Sequence, residues 1–145
     1  MYRILIVDDE KVERNGIRFL LQKLGSEFEI KEAQNGKVAL EMLEKEEMDI
    51  LLTDVKMPFM DGMELIERVR ALQMKLSIII FSGHNEFEYA KKAMKAGVYD
   101  YILKPVDPKE FESTMNKVLM DLDNAKEEAV IKTKGEEFFR EHILY

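Results

Sequence analysis

The chain has no cysteine and no apolar run long enough to cross a membrane. Without cysteine, disulfides and thiolate metal sites are excluded, and the absence is compatible with a reducing cytoplasm. A transmembrane helix needs about 20 consecutive apolar residues, a length that no segment approaches. The first ten residues, MYRILIVDDE, also lack the long apolar segment and cleavage site of a signal peptide. We therefore expect a cytoplasmic protein that does not associate with membranes.

Positive charge is also scarce. The 145 residues carry 22 lysines and arginines against 29 aspartates and glutamates, which leaves a net charge of −7. Because contacts to phosphate backbones need clustered basic residues, the chain by itself is poorly suited to binding nucleic acid. Hydrophobic residues make up 46% of the sequence and charged residues 35%, a balance typical of a globular protein. The length is sufficient for one domain with a substantial core.

Five short apolar runs predict five strands, at residues 3–7, 27–32, 49–53, 77–81 and 99–103. Four of them are nearly continuous in isoleucine, leucine and valine, whereas the second, around FEIKEA, alternates. Continuous runs of this kind are typical of parallel strands that are buried on both faces.

Segments with helical periodicity follow each of these runs. In the first segment, the apolar face is predicted to comprise Val12, Phe19, Leu20 and Leu24. Asp61 is predicted to cap the third helix, and Gly97 to end the fourth. Strand and helix alternate five times, which predicts a doubly wound α/β fold with a five-stranded parallel sheet sandwiched by five helices.

The last 25 residues differ from the rest because they carry no strand signal. Ala125 and Ala129 extend the apolar stripe of the fifth helix, Gly135 then interrupts it, and FFREHILY resumes a short apolar pattern. The sequence therefore predicts an overlong final helix followed by an incomplete further element. We expect one domain at residues 1–122 and a helical linker at 123–145.

Polar side chains follow four of the five predicted strands. Asp8 and Asp9 come after the first strand and Asp54 after the third, while Ser82 and Lys104 come after the fourth and fifth. In an open parallel sheet, ligands bind at the carboxyl ends of the strands. Three carboxylates, a hydroxyl and an ammonium group are therefore predicted to converge on one edge of the sheet.

This set of groups suits the chemistry of a phosphoryl group. Three crowded carboxylates need a counter-charge to remain ionised, and Mg²⁺ prefers oxygen ligands and keeps waters that a phosphate can replace. Lys104 and Ser82 can donate hydrogen bonds to phosphate oxygens. The combination favours attack by a carboxylate on phosphorus. Each part alone has an ordinary interpretation, since paired aspartates often cap helices and an aspartate before a Pro-Gly loop often forms a turn.

The segments ILIVDDE, LLTDVKMPFMDG and IIIFSGHNEFEYAKKAMKAGVYDYILKP resemble the receiver domain of two-component response regulators. The resemblance covers residues 3 to about 122 and implies a flavodoxin-like receiver fold. It also implies that Asp54 accepts a phosphoryl group from a sensor histidine kinase. Asp8, Asp9, Asp54 and the main-chain carbonyl of Lys56 would hold Mg²⁺.

The same resemblance assigns further roles. Lys104 would contact the phosphoryl group, and Ser82 and Tyr101 would form a switch pair, with Ser82 moving toward the phosphate and Tyr101 turning inward. The peptide bond before Pro105 would be cis. Lys56 and His84 occupy positions that vary within the family and flank the route of a water that attacks the phosphate.

The stretch SGHNEFEYAKKAMKAGVYDYILKPVDPKEF resembles one subgroup more closely, in which a helical linker joins the receiver to a C-terminal AraC-type DNA-binding domain. That effector domain is not in this sequence, so we expect the chain to end within the linker. The resemblance implies that phosphorylation controls transcription, that DNA is contacted only through the missing domain, and that a phosphorylation-dependent homodimer can form.

Two alternatives are left open. A haloacid-dehalogenase-like Mg²⁺ phosphatase also uses an aspartate nucleophile, but it places nucleophile and acid two residues apart on the first strand. Here Asp8 and Asp9 are adjacent, Asp54 follows the third strand, and no cap insertion is present. A receiver-like binding module that has lost phosphorylation would lack a site residue, and none is missing. We expect a protein that is not an enzyme and catalyses only its own phosphorylation and dephosphorylation.

Overall fold

The computed structural model describes the backbone of residues 1–143 and their side chains, with the exception of the side chains of residue 84 and residues 139–143. In this part of the chain, five parallel strands form one sheet in the order β2-β1-β3-β4-β5. The strands are β1 (Tyr2–Val7), β2 (Phe28–Ala33), β3 (Ile50–Asp54), β4 (Ser77–Ser82) and β5 (Asp100–Leu103). All five predicted strands are confirmed to within two residues at each end.

The α helices of the described residues are α1 (Lys11–Gln22), α2 (Gly36–Lys45), α3 (Gly62–Ala71), α4 (Phe87–Lys95) and α5 (Pro108–Ile143). A short 3₁₀ helix, His84–Glu86, precedes α4. Helix α3 contacts both α2 and α4, while α1 contacts β1 and β2. The predicted doubly wound α/β fold is confirmed. No helix in residues 1–143 combines the length and apolar character that crossing a membrane requires.

The core lies on the central strands. Every residue of β3 is buried, as are the last four residues of β1 and the last five of β4. Full burial of one such aliphatic side chain stabilises the fold by about 1.5–3 kcal/mol. The carboxyl ends of these strands are therefore held in place by the best-packed part of the molecule.

The predicted signals at two helix ends are confirmed. The Asp61 carboxylate accepts a hydrogen bond from the Glu64 N–H at 2.9 Å, which caps α3. Gly97 follows the end of α4 with a φ of +84°, in the left-handed region that glycine adopts without strain. Both predictions concern helix ends, where backbone N–H and C=O groups have no partner within the helix.

The predicted apolar face of α1 is wrong. Val12 is 79% exposed and Phe19 is 55% exposed, whereas Ile17 and Leu21 are buried. Leu20 and Leu24 are half-buried. The prediction therefore placed Val12 and Phe19 on the buried face wrongly and omitted Ile17 and Leu21.

Ion pairs with β2 complete the buried face of α1. The guanidinium groups of Arg14 and Arg18 lie 3.0 Å and 2.7 Å from carboxylate oxygens of Glu32. Positions 14, 17, 18 and 21 fall on one face of a helix. The buried face thus mixes arginines with Ile17 and Leu21, a mixture that a purely hydrophobic pattern does not detect.

The predicted break at Gly135 is also wrong, because α5 continues through this residue to Ile143. A glycine in a helix interior costs about 1 kcal/mol relative to alanine, and the surrounding Lys134, Glu136 and Glu137 are good helix formers. The chain divides into two compact units, Met1–Glu112 and Ser113–Tyr145. The first contains the sheet and α1–α4, and the second contains most of α5.

Candidate functional site

The end of β1 presents the first two carboxylates. The Asp8 N–H donates to the Ala33 carbonyl at 3.2 Å, which extends the pairing of β1 with β2 by one residue. The Asp8 side chain is only 2% exposed, and its Oδ1 accepts a hydrogen bond from the Glu10 N–H at 2.9 Å. The Asp9 side chain is exposed. The strand therefore places one carboxylate inside the edge of the sheet and the next at its surface.

The end of β3 presents the third carboxylate. Thr53 is in register with Val7 of β1, so that Asp54 lies next to the start of the β1–α1 loop. Asp54 is 8% exposed, and its Oδ1 accepts a hydrogen bond from the Val55 N–H at 2.8 Å. Carboxylate oxygens of Asp8, Asp9 and Asp54 all lie within 4.8 Å of one another. The predicted convergence of these three groups is present.

Lys104 brings the ammonium group to this cluster. Its N–H donates to the Ser82 carbonyl at 2.8 Å, and the following peptide bond to Pro105 is cis, as the resemblance implied. The Lys104 Nζ lies 3.0 Å from Asp54 Oδ1 and 3.6 Å from Asp8 Oδ2. One cation is therefore shared by two buried carboxylates.

The acidic groups of this cluster are held in an environment that disfavours their charge. Burial raises the pKa of Asp8 to about 6 from an ordinary value of 3.8, and the Asp54 and Asp9 carboxylates add to the rise. Burial also raises the pKa of Asp54, against the opposing effect of Lys104. Burial alone would lower the pKa of Lys104, but Asp54 and Asp8 raise it overall. The cluster is short of positive charge.

The loop after Asp54 packs tightly against it. The Gly62 N–H donates to the Val55 carbonyl at 2.7 Å. A Cβ at Gly62 would overlap the carbonyl oxygen of Asp54, so only glycine fits at this position. The Pro-Gly loop thus packs directly against the backbone at the end of β3.

Ser82 and Tyr101 lie on neighbouring strands. Tyr101 is in register with Ile80, two residues before Ser82, so both side chains are on the same face of the sheet about 7 Å apart along the strands. Ser82 is fully buried, and its Oγ has no hydrogen-bond partner among the described residues. Tyr101 is half-buried and packs against the hydrophobic core. A buried hydroxyl without a partner is energetically costly, so this position calls for a physical explanation.

Lys56 is exposed, and its Nζ lies 6.0 Å from the centre of the Tyr89 ring in α4. This contact links the loop after β3 to α4. The expectation for the side chain of His84 lies outside the described residues.

Two residues that contact the strand ends were not predicted from the sequence. The Arg14 guanidinium donates from NH1 to the Asp8 carbonyl at 2.8 Å. The Glu86 carboxylate accepts a hydrogen bond from the Gly83 N–H at 2.9 Å. The spacing of Gly83 and Glu86 is that of a capping box, so that Glu86 could have been found from the sequence. Nothing in the sequence distinguishes Arg14 from Arg18, the other arginine of α1.

The family model described as the response regulator receiver domain matches residues 4–116. The chain belongs to this family. The match favours a receiver domain over a phosphatase of the haloacid-dehalogenase type, and it identifies the chain as a receiver rather than a classical enzyme.

Three relatives extend this assignment. The "Uncharacterized transcriptional regulatory protein YesN" of Bacillus subtilis is 42% identical over 124 residues, which cover 84% of this chain and 33% of YesN. The receiver domain of AraT, a response regulator from Geobacillus stearothermophilus, is 35% identical with a TM-score of 0.77, over 86% of this chain and 98% of that one. A two-component transcriptional regulator AraC from Clostridium phytofermentans is 37% identical with a TM-score of 0.69, over 83% and 97% of the two chains. This chain spans about a third of the length of YesN.

Proposed function

We propose that this chain is the phospho-accepting receiver of a two-component response regulator and that Asp54 accepts the phosphoryl group. The observation that carries the proposal is the position of the Asp54 carboxylate. It is buried at the end of the central strand, 3.0 Å from the Lys104 ammonium, and clustered with two further carboxylates. The phosphoryl donor is a phosphohistidine of a sensor histidine kinase, in line with family membership.

The transfer is a substitution at phosphorus. An Asp54 oxygen forms a bond to phosphorus while the bond from phosphorus to the histidine nitrogen breaks, and the imidazole leaves with that electron pair. Both hydrogen-bond donors to Asp54 named above contact Oδ1, so we assign the attack to Oδ2. Lys104 neutralises charge on the transferring group, and Ser82 donates its hydroxyl to a phosphoryl oxygen.

The cluster also suits Mg²⁺. All three side chains offer oxygen ligands, which Mg²⁺ prefers. Burial and mutual repulsion raise the pKa of Asp8, and a divalent cation would offset the cost of its negative charge. Asp8, Asp9, Asp54 and the carbonyl of Lys56 would hold the ion. When bound, it supplies charge neutralisation for the carboxylates and the phosphoryl oxygens.

Ser82 and Tyr101 are proposed to form the switch. The Ser82 hydroxyl has no hydrogen-bond partner among the described residues, and Tyr101 lies on the same face of the neighbouring strand. When Ser82 moves to the phosphoryl oxygen, Tyr101 turns into the space that it leaves. Phosphorylation thereby shifts an existing equilibrium between two arrangements.

The receiver is proposed to occupy residues 1–122 and a helical linker residues 123–145. In the intact protein, the linker leads to a DNA-binding effector domain of the AraC type, as the name of one relative suggests. The protein acts in the cytoplasm, contacts DNA only through that domain, and forms a homodimer when phosphorylated. The control of transcription follows from the effector domain.

The test is treatment with acetyl phosphate and Mg²⁺, followed by intact-mass analysis. The expected result is a gain of one phosphoryl group that Asp54→Asn abolishes. Asp61→Asn is a matched control, because asparagine also caps helices and the residue lies in the same loop. Phosphorylation that persists in Asp54→Asn would disprove the assignment of this residue.

A further inference from the structure

The 3₁₀ helix after β4 brings an additional carboxylate to the edge of the sheet where Asp54 lies. Glu86 folds back so that its Oε2 accepts a hydrogen bond from the Gly83 N–H at 2.9 Å. The side chain is half-buried. This N–H belongs to the residue directly after Ser82, the last residue of β4.

The register of the sheet places these groups next to the phospho-acceptor. Asp54 is paired with Phe81 of β4, so that Ser82 and Gly83 extend just beyond the level of Asp54. The Glu86 carboxylate is also close enough to contribute to the raised pKa of Asp54, although burial is the larger cause. Glu86 and Asp54 are therefore neighbouring anions.

The two donors at the end of β4 are in opposite states. The Ser82 hydroxyl is buried without a partner among the described residues, whereas the adjacent Gly83 N–H is occupied by a carboxylate. A phosphoryl group on Asp54 brings anionic oxygens to the same place, and backbone N–H groups are strong donors to such oxygens. The Glu86 carboxylate therefore occupies a donor that such an oxygen could use.

We propose that Glu86 is an intramolecular competitor of the phosphoryl group. Its carboxylate holds the Gly83 N–H in the unphosphorylated protein and repels incoming phosphate, so that phosphorylation exchanges one anionic acceptor for another. This inference rests on the proposed phosphorylation of Asp54. Glu86 thereby sets how readily the receiver accepts and keeps the phosphoryl group, without contacting the donor.

Three variants separate charge from helix capping. Glu86→Gln removes the charge but keeps an acceptor for the Gly83 N–H, and Glu86→Ala removes both. Glu88→Gln is the matched control, because it removes one charge from an exposed position two residues away, in the first turn of α4. Circular dichroism verifies that all three variants are folded.

The experiment is a titration with beryllium fluoride, a phosphate mimic, in the presence of Mg²⁺, followed by NMR. We expect Glu86→Gln and Glu86→Ala to bind the mimic about two- to tenfold more tightly than the wild type at low salt, and the gain to shrink as salt screens the charge. Phosphorylation by acetyl phosphate should accelerate in the same order. The control Glu88→Gln should match the wild type.

Two results would overturn the inference while leaving the proposed function intact. In the first, the wild type is phosphorylated on Asp54, but both Glu86 variants match Glu88→Gln. In the second, Glu86→Gln behaves as the wild type and Glu86→Ala binds the mimic more weakly, which indicates a capping role only. A wild type that acetyl phosphate does not modify on Asp54 would overturn both proposals.

Discussion

Charged side chains are balanced at the amino-terminal edge of the sheet and unbalanced at its carboxyl edge. At the amino-terminal edge, the Arg3 guanidinium lies 2.9 Å from Glu29 and 3.5 Å from Glu46, and the Lys31 ammonium lies 2.6 Å from Glu46. Each of these four charges has a partner of opposite sign. At the carboxyl edge, three carboxylates cluster together, and two of them share the ammonium of Lys104.

The directions of the pKa shifts express this difference. At the amino-terminal edge, the hydrogen bond from Lys31 lowers the pKa of Glu46, and the hydrogen bond to Glu29 raises that of Arg3. At the carboxyl edge, burial raises the pKa of both Asp8 and Asp54. Ionisation therefore stabilises the fold at one edge and destabilises it at the other. The carboxyl edge stores an electrostatic cost that a bound cation or a change of charge can relieve.

The largest expected effect is on Asp8. Its pKa is raised from 3.8 to about 6, so the folded state holds the proton more tightly than the unfolded state. The metal-free protein should therefore lose stability as the pH rises from about 4 to 6 and remain penalised above it, by about 3 kcal/mol from this group. Asp8→Asn should remove this loss and raise the urea midpoint at pH 7. Asparagine can still accept the hydrogen bond from Glu10.

The groups that face Asp8 define the controls for this measurement. Asp9 and Asp54 share its cluster, and Lys104 opposes the shift. Asp54→Asn should also stabilise the metal-free protein, since it removes one of the repelling charges. A lower urea midpoint for Asp8→Asn at pH 7 would show that the ion pair with Lys104 outweighs burial and repulsion.

Gly62→Ala should give the next largest effect, a destabilisation of about 1–3 kcal/mol. The new Cβ would overlap the Asp54 carbonyl, and the loop must move to relieve the contact. Gly16→Ala in α1 is the matched control, because no atom lies within 4 Å of its Cβ position and alanine favours a helix. Compared with the wild type, the urea midpoint should be lower for Gly62→Ala and higher for Gly16→Ala. Equal midpoints for the two variants would contradict the close approach of Gly62 to Asp54.

Added Mg²⁺ should stabilise the wild type by about 1.4 kcal/mol at ten times its dissociation constant. The gain arises because the ion neutralises the carboxylates of the carboxyl edge. Asp9→Asn should reduce it at the same Mg²⁺ concentration, whereas Asp49→Asn, at the other edge, should not. Thermal unfolding with and without Mg²⁺ measures this stabilisation in each variant. If Mg²⁺ stabilises Asp9→Asn as much as the wild type, Asp9 is not part of the metal site.

The smallest expected effect belongs to the amino-terminal edge. Glu46→Gln should destabilise the protein slightly, because Glu46 has a lowered pKa and two cationic partners. The loss should be present above the ordinary pKa of glutamate and disappear as the pH falls or as salt screens the pairs. Urea midpoints at two salt concentrations test this. If Glu46→Gln instead stabilised the protein, as is expected for Asp8→Asn, the two edges would not differ in how ionisation affects stability.

The sequence was sufficient to predict the strands and their polar ends. Runs of isoleucine, leucine and valine mark strands buried on both faces, and the polar residue after each run marks the edge where ligands bind. Asp8, Asp54 and Lys104 were found in this way, and the structure brings them together. Their catalytic roles remain predictions, since they rest on the family resemblance.

The failures have different physical causes. The buried face of α1 contains Ile17 and Leu21 together with arginines in ion pairs, whereas Val12 and Phe19 were placed there wrongly. Gly135 lowers helix propensity without ending the helix, because one residue costs less than the surrounding turns contribute. Glu86 was missed, although its three-residue spacing from Gly83 is that of a capping box.

The position of Asp54 on β3 has a consequence for how a signal leaves the site. Strand β3 pairs with β1 on one side and with β4 on the other, and every residue of β3 is buried. The backbone of Asp54, the proposed phospho-acceptor, is thus held on both sides, and we expect it to stay fixed when the charge of the side chain changes. The response must come from side chains and loops around it, where a coupling free energy of about 1–3 kcal/mol is sufficient to change the populations of two states.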